Sequence, residues 1–295
     1  MHDVVENIGR KHCLTVVTVH LMNKLGLDKV PQINQQVLPR FLGKIQKGYV
    51  PGVQYHNELH AIDVLQMAYV MLVKGEIRDF GSLTELDTLS VVIASVCHDY
   101  GHDGFNNAYH VNAITDRAIR YSDQSVQENF HIAESFAILN APKYNFLSDY
   151  SRDDFKTFRK RMIGIILATD MARHVSDLAN FKSLMEQRGI KNGANQSDII
   201  DTDSPKKEFD TRQTLLEITV HAADVSTQVR PFDIAIQWTW LLFEEFFDQG
   251  DKEKEQKLPI SFLCDRTTTC ISTSQPGFMN FIVVPLFATI ADLAP

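Results

Sequence analysis

Two histidines four residues apart are the first hint of chemistry: in Tyr55-His56-Asn57-Glu58-Leu59-His60 the imidazoles of His56 and His60 fall at i and i+4. On one helix that spacing puts both rings on the same face, where they can serve one site. A second grouping follows a strongly apolar run, Val91-Val92-Ile93-Ala94-Ser95-Val96-Cys97, which leads into His98-Asp99-Tyr100-Gly101-His102-Asp103-Gly104. A buried run that ends in His-Asp delivers a ring nitrogen and a carboxylate to the rim of a core. Neutral imidazole with a hard oxygen suits Zn²⁺, Mn²⁺ or Fe²⁺ and can bridge to Mg²⁺. The same window also reads as an Asx-type cap at a helix end.

Two further windows repeat the pairing. Glu128-Asn129-Phe130-His131 sets a carboxylate and an imidazole at i and i+3, and His221-Ala222-Ala223-Asp224 does the same with two small residues between them. Small residues let a backbone sit close to a metal or another helix. Each window alone is weak. Four of them on apolar helices are not expected by chance, because an unpaired buried carboxylate is costly unless a cation or donor compensates it.

The elements that must carry these groups read as helices. Apolar residues recur at helical spacing in Val16, Leu21 and Leu25, in Leu59, Ile62, Leu65, Met67 and Ala68, and in Leu89, Val92, Ile93 and Val96. Residues 107–140, 154–174, 211–228 and 232–249 continue the pattern, and no period-two alternation runs long enough for a sheet. The fold class is therefore all-α, a compact multi-helix domain. Pro51-Gly52 precedes a helix expected to carry both His56 and His60, Pro142 follows the segment around His131, and Pro231 opens a helix leading to Trp238. Residues 189–210 and 249–274 read as mobile loops, the first rich in Gly, Asn, Asp and Ser, the second opening on the charge run 250–255, which reads as solvated surface.

Composition narrows the class. A chain of 295 residues, 44% hydrophobic and 22% charged, can bury a full core and is read as one domain over 1–295, trimmed at both ends. A net charge of −8 argues against a nucleic-acid partner gripped by a broad basic face. A phosphate substrate would need locally placed cations, and metals supply them. Four cysteines without CxxC pairing suit a reducing compartment, the cytoplasm by default. The longest uninterrupted apolar runs, 163–168 and 281–287, are far short of the ~20 residues that cross a bilayer, so no transmembrane segment is expected.

The motifs together resemble a known family. Tyr55-His56-Asn57-x-x-His60-Ala61-x-Asp63-Val64, His98-Asp99-x-x-His102-x-Gly104-x-x-Asn107, Ala222-x-Asp224, Gln237-Trp238, Glu244-Glu245-Phe246-Phe247-x-Gln249-Gly250-Asp251 and Gln275-x-Gly277-Phe278 are similar, in order, to the class I cyclic nucleotide phosphodiesterases. The likeness runs from about residue 50 to the end of the chain. It implies an all-helical HD-type catalytic domain with a tightly held Zn²⁺ and a second ion, Mg²⁺ or Mn²⁺. It implies His60, His98, Asp99 and Asp224 as ligands of the first metal, with Asp99 bridging to the second. His102, Glu128, His131 and Asp170 would orient the second metal's waters. A water shared by two cations would be acidified and attack the cyclic phosphorus, while His56, free of metal and held by a carboxylate, would protonate the departing O3′ as general acid. The product would be a 5′-nucleoside monophosphate, ending a cyclic nucleotide signal.

The likeness also implies a purine site, with Gln275 presenting its amide to the ring edge, Phe278 stacking on one face, Leu242 opposite, and Tyr55 and Thr227 in the same pocket. Departures are specific. Gly101 and Asp103 stand where many members carry Asp and Pro, and Thr227 stands where cAMP-selective members place an asparagine. Use of both cAMP and cGMP is the resulting expectation. A homodimer, an N-terminal regulatory domain outside this chain and membrane association through such outside regions are compatible with the resemblance. Other readings are a different His-Asp helical phosphohydrolase such as a nucleotidase, a di-iron oxygenase, or a sensor that binds without turnover; the Gln275 to Phe278 motif and the complete ligand set separate these from the first.

Overall fold

The computed structural model describes residues 9–188, 190 and 204–293, and among them every regular element is helical. The first half contains α1 (Cys13–Lys24), α2 (Leu38–Gln46), α3 (Glu58–Val73), α4 (Ile77–Phe80), α5 (Glu85–Cys97), α6 (Asn107–Asn112), α7 (Asp116–Tyr121) and α8 (Val126–Asn140). The second contains α9 (Arg152–Leu167), α10 (His174–Gln187), α11 (Pro205–Asp224), α12 (Phe232–Glu255), α13 (Ile271–Phe278) and α14 (Val284–Ala291).

The core is built around α5, whose residues from Asp87 to Cys97 are all buried. Buried on every side, it has no polar face, which is why its sequence reads as a continuous apolar run rather than a stripe. α3 and α9 pack directly against it, and α11 closes the set by touching α3, α5 and α9. α5 starts with a capping box: the Thr84 hydroxyl accepts from Asp87 N–H while the Asp87 carboxylate accepts from Thr84 N–H. The other Asp87 oxygen takes Arg161 Nε at 2.9 Å, a pair with both side chains only 3% exposed. Arg161 also donates to Phe209 O and Gln213 Oε1, so one buried cation ties α9 to the starts of α5 and α11. Asp87→Ala strands that cation, and chemical denaturation should show a loss of ~3–5 kcal/mol; a loss under about 1 kcal/mol would mean the pair is not what joins these helices.

Several sequence expectations need correction. His56 is not on the helix of His60. Asn57 is the N-cap, extended at φ −128° and ψ −176° with its side chain accepting from Leu59 N–H, so α3 begins only at Glu58. The segment 107–140 is three helices because Ile114, Ser122, Asp123 and Ser125 take positive φ, which no continuing helix allows. Of 189–210, residues 189 and 191–203 lie outside the described residues, while 205–210 are the first turns of α11, capped by Ser204. The second expected loop starts too early: α12 runs to Glu255.

The charge run 250–255 is not simply solvated either. Glu245, Gln249 and Glu253, spaced four apart on α12, are 4%, 1% and 0% exposed. Glu253 accepts from Gln249 Nε2, Ser261 N–H and Ser261 Oγ, so the chain after α12 folds back and satisfies the buried carboxylate. Gly250 permits that return, since a Cβ there would meet Cys264 O at 1.9 Å.

The run Ile271–Ala291, with a π turn at Met279–Val283, is long and apolar enough by length and composition to cross a bilayer, with 22% of its apolar window buried. Uninterrupted apolar stretches did not reveal it because polar residues such as Gln275 and Asn280 punctuate the run. Its Phe278 lines a cavity shared with His56, Asp99 and His102.

Candidate metal centre and substrate cavity

Three helix ends meet beneath a cavity of about 420 Å³. α3 contributes His60 from its first turn, the end of α5 delivers His98 and Asp99, and the last residue of α11 is Asp224. His60 Nε2 lies 2.9 Å from Asp224 Oδ1 and 3.5 Å from Asp99 Oδ2. His98 Nε2 lies 3.0 Å from Asp99 Oδ2 and 3.4 Å from Asp224 Oδ1.

The hydrogen-bond roles show what belongs between them. His98 Nδ1–H donates to Ser95 O at 2.9 Å, leaving Nε2 of the neutral ring with a lone pair facing two carboxylates. His98 Nε2 and Asp99 Oδ2 are buried and have no hydrogen-bond partner. Acceptors facing acceptors need a cation. Ligand atoms about 2.0–2.1 Å from a tetrahedral ion stand about 3.3 Å apart, and the four separations of 2.9–3.5 Å bracket that spacing. The residues therefore fit a divalent metal of the zinc type. Burial disfavours a charged His98, but Asp99 and Asp224 outweigh it and hold the ring well above its ordinary pKa. Burial would raise the Asp99 carboxyl, yet His98 and His56 pull it well below the usual carboxylate range; Asp224 is pulled down likewise by His98 and His60.

His56 is held on the other side of the cavity by α12. Its Nδ1 makes a short hydrogen bond to Glu245 Oε1, and Glu245 Oε2 accepts from the backbone N–H of Tyr55 at 2.9 Å and of His56 at 3.1 Å. Burial opposes a charged ring, but Glu245 and then Asp99 overcome it and raise His56 to about 9. The carboxylate, despite its burial, falls to about 2 against the same imidazolium. His102 stacks on His56 at 4.2 Å, and burial together with that neighbour's charge lowers it to about 4. Its Nδ1 accepts from Gly104 N–H, so the neutral ring carries its proton on Nε2. His56, His102 and Glu245 are also close enough to share an ion. His56 Nδ1 and His102 Nδ1 already have partners there, so this group lacks the orphaned atoms of the His60 cluster.

The cavity brings together Asp99, His102, Glu128, His131 and Asp170, the set expected to handle metal waters. His131 Nδ1–H donates to Tyr100 O at 2.7 Å, which leaves its Nε2 as an acceptor 3.8 Å from Asp99 Oδ1. Burial, with Asp170 nearby, raises Glu128 to about 7. Leu242, Phe278 and Thr227 also line the cavity, and the Tyr55 hydroxyl is 3.2 Å from Thr227 Oγ1.

Gln275 does not line it. It is half-buried one turn before Phe278 on α13, a helix with no fully buried residue, so packing does not aim its amide at the cavity. Sequence reasoning left the carboxylate behind His56 unassigned, and the available signal was the i, i+4, i+8 row of Glu245, Gln249 and Glu253 on an aromatic helix. Asn106 and Gln228 also line the cavity. No sequence motif singled them out.

The family model for 3′5′-cyclic nucleotide phosphodiesterase matches residues 55–295. The chain belongs to that family. It is 36% identical over 289 residues to the probable 3′,5′-cyclic-AMP phosphodiesterase pde-4 of Caenorhabditis elegans, covering 98% of this chain and 41% of that protein. Identity is 36% to the human high affinity cGMP-specific 3′,5′-cyclic phosphodiesterase 9A (94% and 43% covered) and 34% to the bovine dual specificity calcium/calmodulin-dependent 3′,5′-cyclic nucleotide phosphodiesterase 1B (96% and 49% covered). This phosphodiesterase chain thus spans about half or less of each of these relatives. The phosphodiesterase domain of the RhoPDE fusion protein of the choanoflagellate Salpingoeca rosetta superposes with a TM-score of 0.83 at 30% identity, covering 95% of this chain and 84% of that one.

Proposed function

We propose that the chain hydrolyses 3′,5′-cyclic nucleotides, both cAMP and cGMP, to 5′-nucleoside monophosphates and so terminates cyclic nucleotide signals. The observation that carries the reading is the convergence of ligand atoms from His60, His98, Asp99 and Asp224 beneath a cavity that is also lined by His56, whose Nδ1 is held by Glu245. His60, His98, Asp99 and Asp224 would hold Zn²⁺, with Asp99 shared with Mg²⁺ or Mn²⁺. Bound there, the two ions supply Lewis acidity, acidifying water and offsetting charge that grows on the phosphoryl oxygens.

The protein's own groups divide the remaining work. His56, kept charged by Glu245, donates a proton to the departing O3′. His102 offers an Nε2–H donor and His131 an Nε2 acceptor, opposite polarities that orient the attacking water together with Glu128 and Asp170. The base would lie between Leu242 and Phe278, with Tyr55 holding the Thr227 hydroxyl, and Gln275, one turn before Phe278, would have to turn its amide toward the cavity to meet the base edge. Four unpaired cysteines support a reducing, cytoplasmic setting.

Both nucleotides should be substrates. The compared relatives act, by name, on cyclic AMP, on cGMP or on both at nearly equal identity, so similarity does not choose. Thr227 offers one hydroxyl where an amide would read adenine, and one hydrogen bond is worth ~1 kcal/mol net. Specificity constants for cAMP and cGMP are expected within roughly two orders of magnitude, Gln275→Ala should damage both, and exhaustive chelation should abolish both. A preference above roughly 10³-fold would show that other residues fix the base, and hydrolysis surviving chelation would refute the metal reading.

A further inference from the structure

The loop between α5 and α6 is gripped at alternate residues. Arg117 Nη2 donates to Gly101 O at 3.0 Å, Gln127 Nε2 donates to Asp103 Oδ1 at 2.8 Å and to Phe105 O at 2.7 Å, and Arg117 Nη1 donates to Gln127 Oε1 at 2.6 Å. The Asp103 carboxylate also faces Arg117 Nη1 at 3.4 Å and His110 Nε2 at 3.2 Å. Behind it, the Arg117 guanidinium carbon lies over Phe130, 3.7 Å from the ring centroid. The intervening residues His102, Gly104 and Asn106 line the cavity.

Gly101 and Asp103, the two departures in the second motif, thus both sit under this grip. Gly101 has φ +71°, and a Cβ there would stand 3.0 Å from Phe130 Cε1, so the ring under Arg117 and the bare backbone above it fit each other.

We propose that Asp103, Arg117 and Gln127 form a positioning clasp. Held from behind at residues 101, 103 and 105, the loop can present residues 102, 104 and 106 in only one direction. That direction sets Gly104 N–H on His102 Nδ1, which fixes the tautomer that points Nε2–H into the cavity, and sets Asn106 N–H on Gln249 Oε1 of α12 at 2.9 Å. Asp103 and Arg117 lie off the cavity, and Gln127, which lines it, has both ends of its amide engaged by Arg117, Asp103 and Phe105. All three clasp residues act through His102, and the inference rests on the hydrolase reading above.

The test compares wild type with Asp103→Ala, Gln127→Met and the double variant, with kinetics on both nucleotides, metal content, and ¹⁵N spectra of the imidazoles. The clasp predicts kcat lowered about ten- to a hundredfold, KM changed less than about threefold, full metal content, and loss of the single Nε2–H signal of His102. The double variant should be no worse than the poorer single one, because the groups act as a unit. A folded variant with kcat within about twofold of wild type, or with the His102 tautomer intact, overturns the proposal. Should Asp103→Ala not fold, Gln127→Met, which preserves volume, carries the same readouts. If wild type hydrolyses neither nucleotide, the hydrolase reading fails, while the His102 spectrum still judges the clasp.

Discussion

Asp99→Ala is expected to remove the bound metal and to lower kcat/KM for either nucleotide by on the order of 10³-fold or more. Among the described residues, no other carboxylate lining the cavity faces three imidazoles. Its Oδ2 is within 3.5 Å of both His60 Nε2 and His98 Nε2, and its Oδ1 is 3.8 Å from His131 Nε2. Deleting it leaves two imidazoles and Asp224, a set one charge poorer, and also removes the group assigned to bridge both ions. Elemental analysis of the purified variant, read beside its kinetics, is the check. Wild-type metal content in Asp99→Ala would sink the ligand assignment whatever its rate.

His56→Ala should behave in the opposite way, with kcat down on the order of 10²-fold and metal content unchanged. The ring is held by Glu245 and has no place among the His60, His98, Asp99 and Asp224 atoms. In the proposed mechanism the active form is the imidazolium. With the ring raised to about 9, activity should hold through neutral pH and fall as pH rises through that value. Glu245→Gln removes the largest charge that raises it, so the alkaline limb should move to lower pH, toward the ordinary histidine range. A limb that stays in place would mean Glu245 does not tune the donor, and metal lost from His56→Ala but kept in His60→Ala would mean the two histidines have exchanged roles.

The convergence of His98, Asp99 and Asp224 was legible because His98-Asp99 follows an unbroken apolar run and His221-Ala222-Ala223-Asp224 keeps helical spacing. Both features encode burial and ligand chemistry in the same short window. Where the partner comes from far along the chain, the sequence is silent. Nothing near Glu253 announces that Ser261 will return to it, so 250–255 reads as surface charge. Nothing near Asp103 announces Arg117 and Gln127. His56 failed for a local reason instead: the i, i+4 rule presumes a helix, and Asn57 caps α3 one residue too late for His56 to join it. Gln275 sits on a helix that buries no residue completely, so its motif fixes its neighbours in sequence but not the direction of its amide.

The row of buried polar groups on α12 has one more consequence. Glu245 bonds the backbone of Tyr55 and His56, and Gln249 bonds the backbone of Asn106, so two side chains spaced one turn apart fasten this helix to the core that carries His60, His98 and Asp99. One of those fasteners is the charge that sets the acidity of His56. Coulomb attraction in a water-poor site varies steeply with separation at contact distance, so the seating of a long helix and the proton affinity of a single ring are one mechanical variable. Any shift of α12 against the core would change how tightly the His56 ring holds its proton.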